Sequence, residues 1–139
     1  MLKAIIGVTV LVLIIILSTC SLDTQTLEQF YEGNLNDVTK IRIVDGNSGY
    51  SKTVADQSAI QGFLNQIKSI KFIPYKNQEE RSGFNYSITL YENEETTFAF
   101  SLTQVNGHYY HTEPEILPIV DHFYKHLQVK EAVPYLSER

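Results

Sequence analysis

Four histidines, a knot of glutamates, one cysteine and nine tyrosines are the residues through which this chain could do chemistry. His108, His111, His122 and His126 fall within 19 residues, and imidazole is a favoured ligand of zinc and copper. A strand and a helix that converged would bring the four together. His122 and His126 share one helix face, but a turn of roughly 100° per residue points that face away from the Val120, Phe123 and Leu127 stripe and into solvent. His108 and His111 are three apart on a strand, so their rings point to opposite faces. There is no His-Glu-x-x-His motif. The pattern therefore predicts solvated histidines and no metal site. Glu92, Glu94 and Glu95 lack the ligand spacing and the bend glycine of a calcium loop and read as a solvated turn. No Gly-x-Ser-x-Gly elbow, P-loop or dinucleotide fingerprint is present, so no catalytic residue and no cofactor is expected. A distant alternative, a metal-dependent enzyme, would need a pocket joining Glu113, His111 and His122. The tyrosines are more suggestive. Tyr50, Tyr75, Tyr86, Tyr91, Tyr109 and Tyr110 fall in or beside strands, where tyrosine serves either as a rigid binding surface or as sheet packing. Tyr109 and Tyr110 must point to opposite faces, which predicts that one of them stays exposed.

Cys20, the only cysteine, has a different context. Lys3 is followed by 14 uncharged residues, Ala4 to Leu17, whereas a membrane-spanning helix needs roughly 20. A short apolar run behind one positive charge matches the core of a secretory signal peptide. The run ends in Leu17-Ser18-Thr19-Cys20, and residues 1–21 resemble a bacterial lipoprotein signal with its lipobox. Thr19 occupies a place that Gly, Ala or Ser usually takes in that family. The resemblance implies that residues 1–19 are removed and that Cys20 carries the lipid at the head of the mature chain. Each buried methylene contributes about 0.8 kcal/mol, so a diacylglyceryl group would anchor the chain stably where one acyl chain would not. The competing reading is an uncleaved anchor that leaves the N-terminus in the bilayer. Either way the domain is expected at the extracytoplasmic face of a cell membrane, with the membrane as its first partner.

Composition sets further bounds. Of 139 residues, 43% are hydrophobic and 19% charged, which excludes a disordered tail, a collagen-like fibre and a polytopic membrane protein. The formal net charge of −5, with no basic run, excludes electrostatic binding of nucleic acid. With no second thiol, neither a disulfide within the chain nor a Cys-rich metal site is available. Residues 20–38 read as an anchor and spacer, in which Leu27, Phe30 and Tyr31 are spaced for one short helix before Gly33. Residues 39–128 read as a globular domain and 129–139 as a tail.

Within the domain, Lys40 to Val44 alternates and meets a dense turn signal, Asp45-Gly46-Asn47-Ser48-Gly49, with Tyr50 to Ala55 returning as a partner strand. Asp56 suits the cap of a helix over 58–70, whose stripe is Ile60, Phe63, Leu64, Ile67 and Ile70. Lys71 to Tyr75 reads as a strand that Pro74 restricts to an edge or an end, and residues 76–83 as an exposed loop. Two alternating strands follow, the second over 97–104. Asn106-Gly107 is a type I′ hairpin signal leading to His108–His111. Thr112 and Glu115 resemble a capping box before a last helix with Ile116, Val120, Phe123 and Leu127 on one face and Pro118 near its start. The expected fold is α+β, an antiparallel β-sheet of about five to six strands with two helices packed on one face.

From Lys40-Ile41-Arg42-Ile43 through the 58–70 helix to Tyr86-Ser87-Ile88-Thr89-Leu90-Tyr91, the layout resembles small lipoproteins of Bacillus-type bacteria, a group that includes the YhfM-like domain. The resemblance implies this fold and an extracytoplasmic location, in a group that mostly lacks an assigned activity. The expected function is a non-catalytic binding or accessory module that engages a protein or peptide through an open sheet face. The alternative is an immunity lipoprotein that intercepts a bacteriocin or lantibiotic, which suits an acidic domain meeting a cationic peptide.

Overall fold

The computed structural model describes residues 21–134, so residues 1–19, read above as a signal peptide, together with Cys20 and the last five residues, lie outside the described residues. In chain order the elements are β1 (Gln25–Thr26), α1 (Leu27–Phe30), a 3-10 turn (Leu35–Asp37), β2 (Lys40–Asp45), β3 (Ser51–Val54), α2 (Gln57–Ile67), β4 (Lys71–Pro74), β5 (Tyr86–Glu92), β6 (Glu95–Ser101), β7 (Gln104–Val105), β8 (His108–Glu113) and α3 (Leu117–His126). The class is α+β, with one antiparallel sheet in the order β1-β4-β8-β7-β6-β5-β2-β3. Eight strands stand where five to six were expected, because β1 and β7 are two residues long and too short to leave an alternation in the sequence. The helices number three rather than two and do not gather into one clear layer on one face. Among the described residues no helix is long and apolar enough to cross a membrane.

The stretch expected as a spacer is woven into the fold. Thr26 caps α1 reciprocally: its hydroxyl accepts from the Gln29 amide at 3.3 Å, and the Gln29 side chain accepts from the Thr26 amide at 2.9 Å. That one turn delivers Leu27 and Tyr31 to the core, and the 3-10 turn adds Leu35 ahead of Val38. Asp56 caps α2 as expected, accepting from the Ala59 amide at 2.8 Å, although the helix stops at Ile67 and leaves Ile70 buried beyond it. The capping box expected at Thr112 does not form. Thr112 instead accepts from the Ile116 amide at 3.0 Å, and α3 opens with Pro118 in its first turn and no side-chain cap. At its other end, Lys52 donates to the carbonyls of Tyr124 and Leu127 at 2.8 and 3.1 Å, placing a cation against the negative end of α3.

The core lies on the face that Ile41, Ile43, Ile88, Leu90 and Phe100 share across β2, β5 and β6. Helices α2 and α3 close it where Phe63 stacks on Phe123, with ring centroids 4.1 Å apart and planes 11° from parallel. Phe30 of α1 packs edge-on against Phe72 and Tyr110. Asn106 and Gly107 both have positive φ, 51° and 79°, as a type I′ turn requires. This hairpin joins β7 to β8; the strand expected over 97–104 breaks at Leu102–Thr103, so β7 is separate from β6. In the β2–β3 turn, a Cβ on Gly46 would run into the Phe84 carbonyl oxygen, so glycine is what allows this turn to sit against the entry to β5.

Candidate functional site

The structure separates the residues expected to carry chemistry. His122 and His126 stack on each other at 4.1 Å on an exposed face of α3, and His108 is exposed at a hairpin tip. His111 lies across the sheet beside Tyr75, 5.1 Å between ring centres. Among the described residues no three His, Cys, Asp or Glu side chains are grouped to hold a metal ion. The glutamate tip is in part an ion pair, since Lys40 meets Glu94 at 2.8 Å. A single exposed pair of this kind contributes little stability.

The tyrosines divide between the two faces. Tyr110 is 3% exposed in the core, as the alternation requires. One of the pair was expected to stay exposed, yet Tyr109 on the other face is only 6% exposed, because the loop expected to be exposed folds over it. Arg81 both donates its amide to the Tyr109 hydroxyl at 3.0 Å and accepts back at 3.3 Å, and its guanidinium lies over the Tyr75 ring at 4.3 Å. Gln78 stitches the same loop to the β8 backbone, donating to the Tyr109 carbonyl at 2.9 Å and accepting from its amide at 2.8 Å. No local pattern announces the cover on Tyr109, because each of its contacts to Gln78 and Arg81 spans about 30 residues. Beside β8 and the start of α3 is a cleft of about 280 Å³, with Tyr75, His111, Thr112 and Glu115 among its walls. His111 Nδ1 is buried there without a hydrogen-bond partner.

A second groove, about 480 Å³, runs along β6. One wall is the α1 end with Phe30, Tyr31, Glu32 and Gly33; the other is Glu92 and the stretch from Glu95 to Phe98. Strand β6 pairs with β5 along its length but touches β7 only at Ser101, so the opposite edge of residues 95–100 has no strand partner among the described residues. The Tyr31 hydroxyl sets the groove floor. It donates to Glu92 Oε1 at 2.8 Å, lies 2.8 Å from the Thr97 hydroxyl, and its ring packs edge-on against Phe98. Burial raises the Tyr31 phenol above its ordinary value; the Thr97 bond opposes this and the neighbouring Glu92 adds to it, so the group stays neutral and pinned. A Cβ on Gly33 would press on both the Tyr31 ring and Glu92. Sequence reasoning missed this groove because it read 20–38 as a spacer and the glutamates as a solvated tip, and nothing local joins the two.

Two further tyrosines predict an alkaline limit to the fold. Tyr86 donates to Asp121 at 2.7 Å and Tyr124 to Glu131 at 3.1 Å. Burial first, and the carboxylate partner second, raise both phenols, Tyr124 to about 12. Because the folded values lie above the unfolded value near 10, this stabilisation is complete below about pH 10 and is lost as pH rises through 12. The urea midpoint is expected to fall over that window. A Tyr86→Phe, Tyr124→Phe double variant should start lower and fall less steeply, and parallel curves would show that the two phenols do not carry the effect.

Comparison with protein-family models, with curated proteins and with solved structures found no match to this chain.

Proposed function

We propose that this chain is a membrane-anchored extracytoplasmic lipoprotein, held by lipid on Cys20, that acts as a non-catalytic module binding a protein or peptide. The observation that carries the binding reading is the unpaired β6 edge opening on a groove with aromatic and acidic walls. A strand edge with free backbone groups is a template for another chain, and sheets that have no use for one blunt it. The β3 end of this sheet does so: Ser51 of β3 exchanges two backbone hydrogen bonds with Ala132, at 3.0 and 2.8 Å. The signal-like N-terminus supplies the location. Phe30, where the groove wall begins, is ten residues beyond Cys20, so about 35 Å of extended chain is the most that separates groove and lipid.

The test is photo-crosslinking in the producing cells, with the reactive group at Ala99 on the free edge or at Asn65 on the exposed side of α2. A discrete, saturable protein or peptide adduct is expected from Ala99 and not from Asn65. Equal labelling from both positions, or none from Ala99, would overturn the reading.

A further inference from the structure

We infer that the β6 edge takes an extended, cationic segment of a partner protein as an added strand, its basic side chains meeting Glu32, Glu92 and Glu95. This rests on the reading of the chain as a binding module and adds the partner's chemistry to it. Ladder geometry identifies the contact. The Leu102 amide donates to Tyr86 of β5 at 3.3 Å, so Leu102, and by alternation Phe100, turn their backbone groups toward β5. Ser101 and Ala99 turn theirs the other way. Ser101 meets β7, whereas the Ala99 amide and carbonyl turn away from β5 at the open edge, one residue past the groove stretch Glu95–Phe98, with no strand opposite among the described residues. The edge from Glu95 to Ala99 holds neither lysine nor proline to repel an incoming strand.

Charge selects the occupant. Glu94 is satisfied by Lys40, but among the described residues Glu32, Glu92 and Glu95 form no ion pair. Three carboxylates along so short a groove, in a chain of net charge −5, repel an acidic strand. They also disfavour a second copy of this chain, because β6 (Glu95–Ser101) carries no lysine or arginine to answer these carboxylates. Side chains of an added strand alternate, so one set would rest on Phe30 and Phe98 while flanking lysines or arginines reach the carboxylates.

The experiment uses the full chain in nanodiscs, with amide hydrogen exchange read along residues 95–100. The probes are synthetic strand peptides of about eight residues, alternating Lys-Val, Thr-Val or Glu-Val. The Lys-Val peptide is expected to slow exchange at Ala99 and its neighbours, with affinity falling about tenfold as salt is raised to screen the charges. A variant with Glu32→Gln, Glu92→Gln and Glu95→Gln keeps the Tyr31 acceptor and is expected to lose about the same factor. Ala99→Pro removes the outward amide on a free edge, where proline is tolerated, and is expected to abolish the protection with melting unchanged. Equal protection by Lys-Val and Thr-Val, without salt dependence, would overturn the cationic partner while leaving the binding module standing. Peptide protection elsewhere, or an edge protected by self-association, would overturn the inference in the same way. No protection by any peptide, together with no adduct from Ala99, would remove both.

Discussion

Cys20→Ser is expected to move the chain from the membrane fraction to the soluble fraction and to abolish incorporation of a fatty-acid label. The size of the effect follows from chain chemistry. At about 0.8 kcal/mol for each buried methylene, two acyl chains hold a protein essentially irreversibly, and removing both is an all-or-none change. The 14-residue apolar run is short of the roughly 20 residues that a span needs, so it does not substitute for the lipid. The measurement is membrane fractionation with fatty-acid labelling of wild type and variant side by side. A variant that stays wholly in the membrane without label would establish the uncleaved anchor instead, and with it a mature chain that keeps residues 1–19.

Phe63→Ala should cost about 3–5 kcal/mol of folding stability, read as a lowered urea midpoint at unchanged slope. Phe63 is 1% exposed and fills the junction of α2 with α3, stacked on Phe123. Truncation removes the buried ring, the stack and its packing onto the sheet, and the backbone of two helices cannot close the gap without shifting. Phe84→Ala is the control, because that ring is 43% exposed and its loss should change stability by less than about 0.5 kcal/mol. A loss below that figure at Phe63 would mean that α2 does not close the core.

Much of the local structure was legible from residue type and spacing. Asp56 as a cap, Asn106-Gly107 as a turn and the Ile60, Phe63, Leu64, Ile67 stripe as a core face each depend on interactions within a few residues. The same logic failed where the decisive partner is remote. Thr112 and Glu115 have the spacing of a capping box, yet the chain first passes through Pro114 and the helix starts only at Leu117. Tyr109 follows the alternation as expected, but its burial is decided by Arg81 and Gln78, nearly 30 residues earlier.

What the sequence determined by itself is the set of elements held by near-neighbour chemistry: the α+β class, the Asp56 cap, the Asn106-Gly107 turn and the apolar faces. Which strands are left without a partner was decided only by the tertiary structure. A strand edge is free or covered according to where segments far away in the chain come to rest, and α1, drawn from an apparent spacer, lies beside the edge of β6 without pairing to it. Backbone hydrogen bonding is alike for every residue but proline, so residue type carries no mark of a ladder left open.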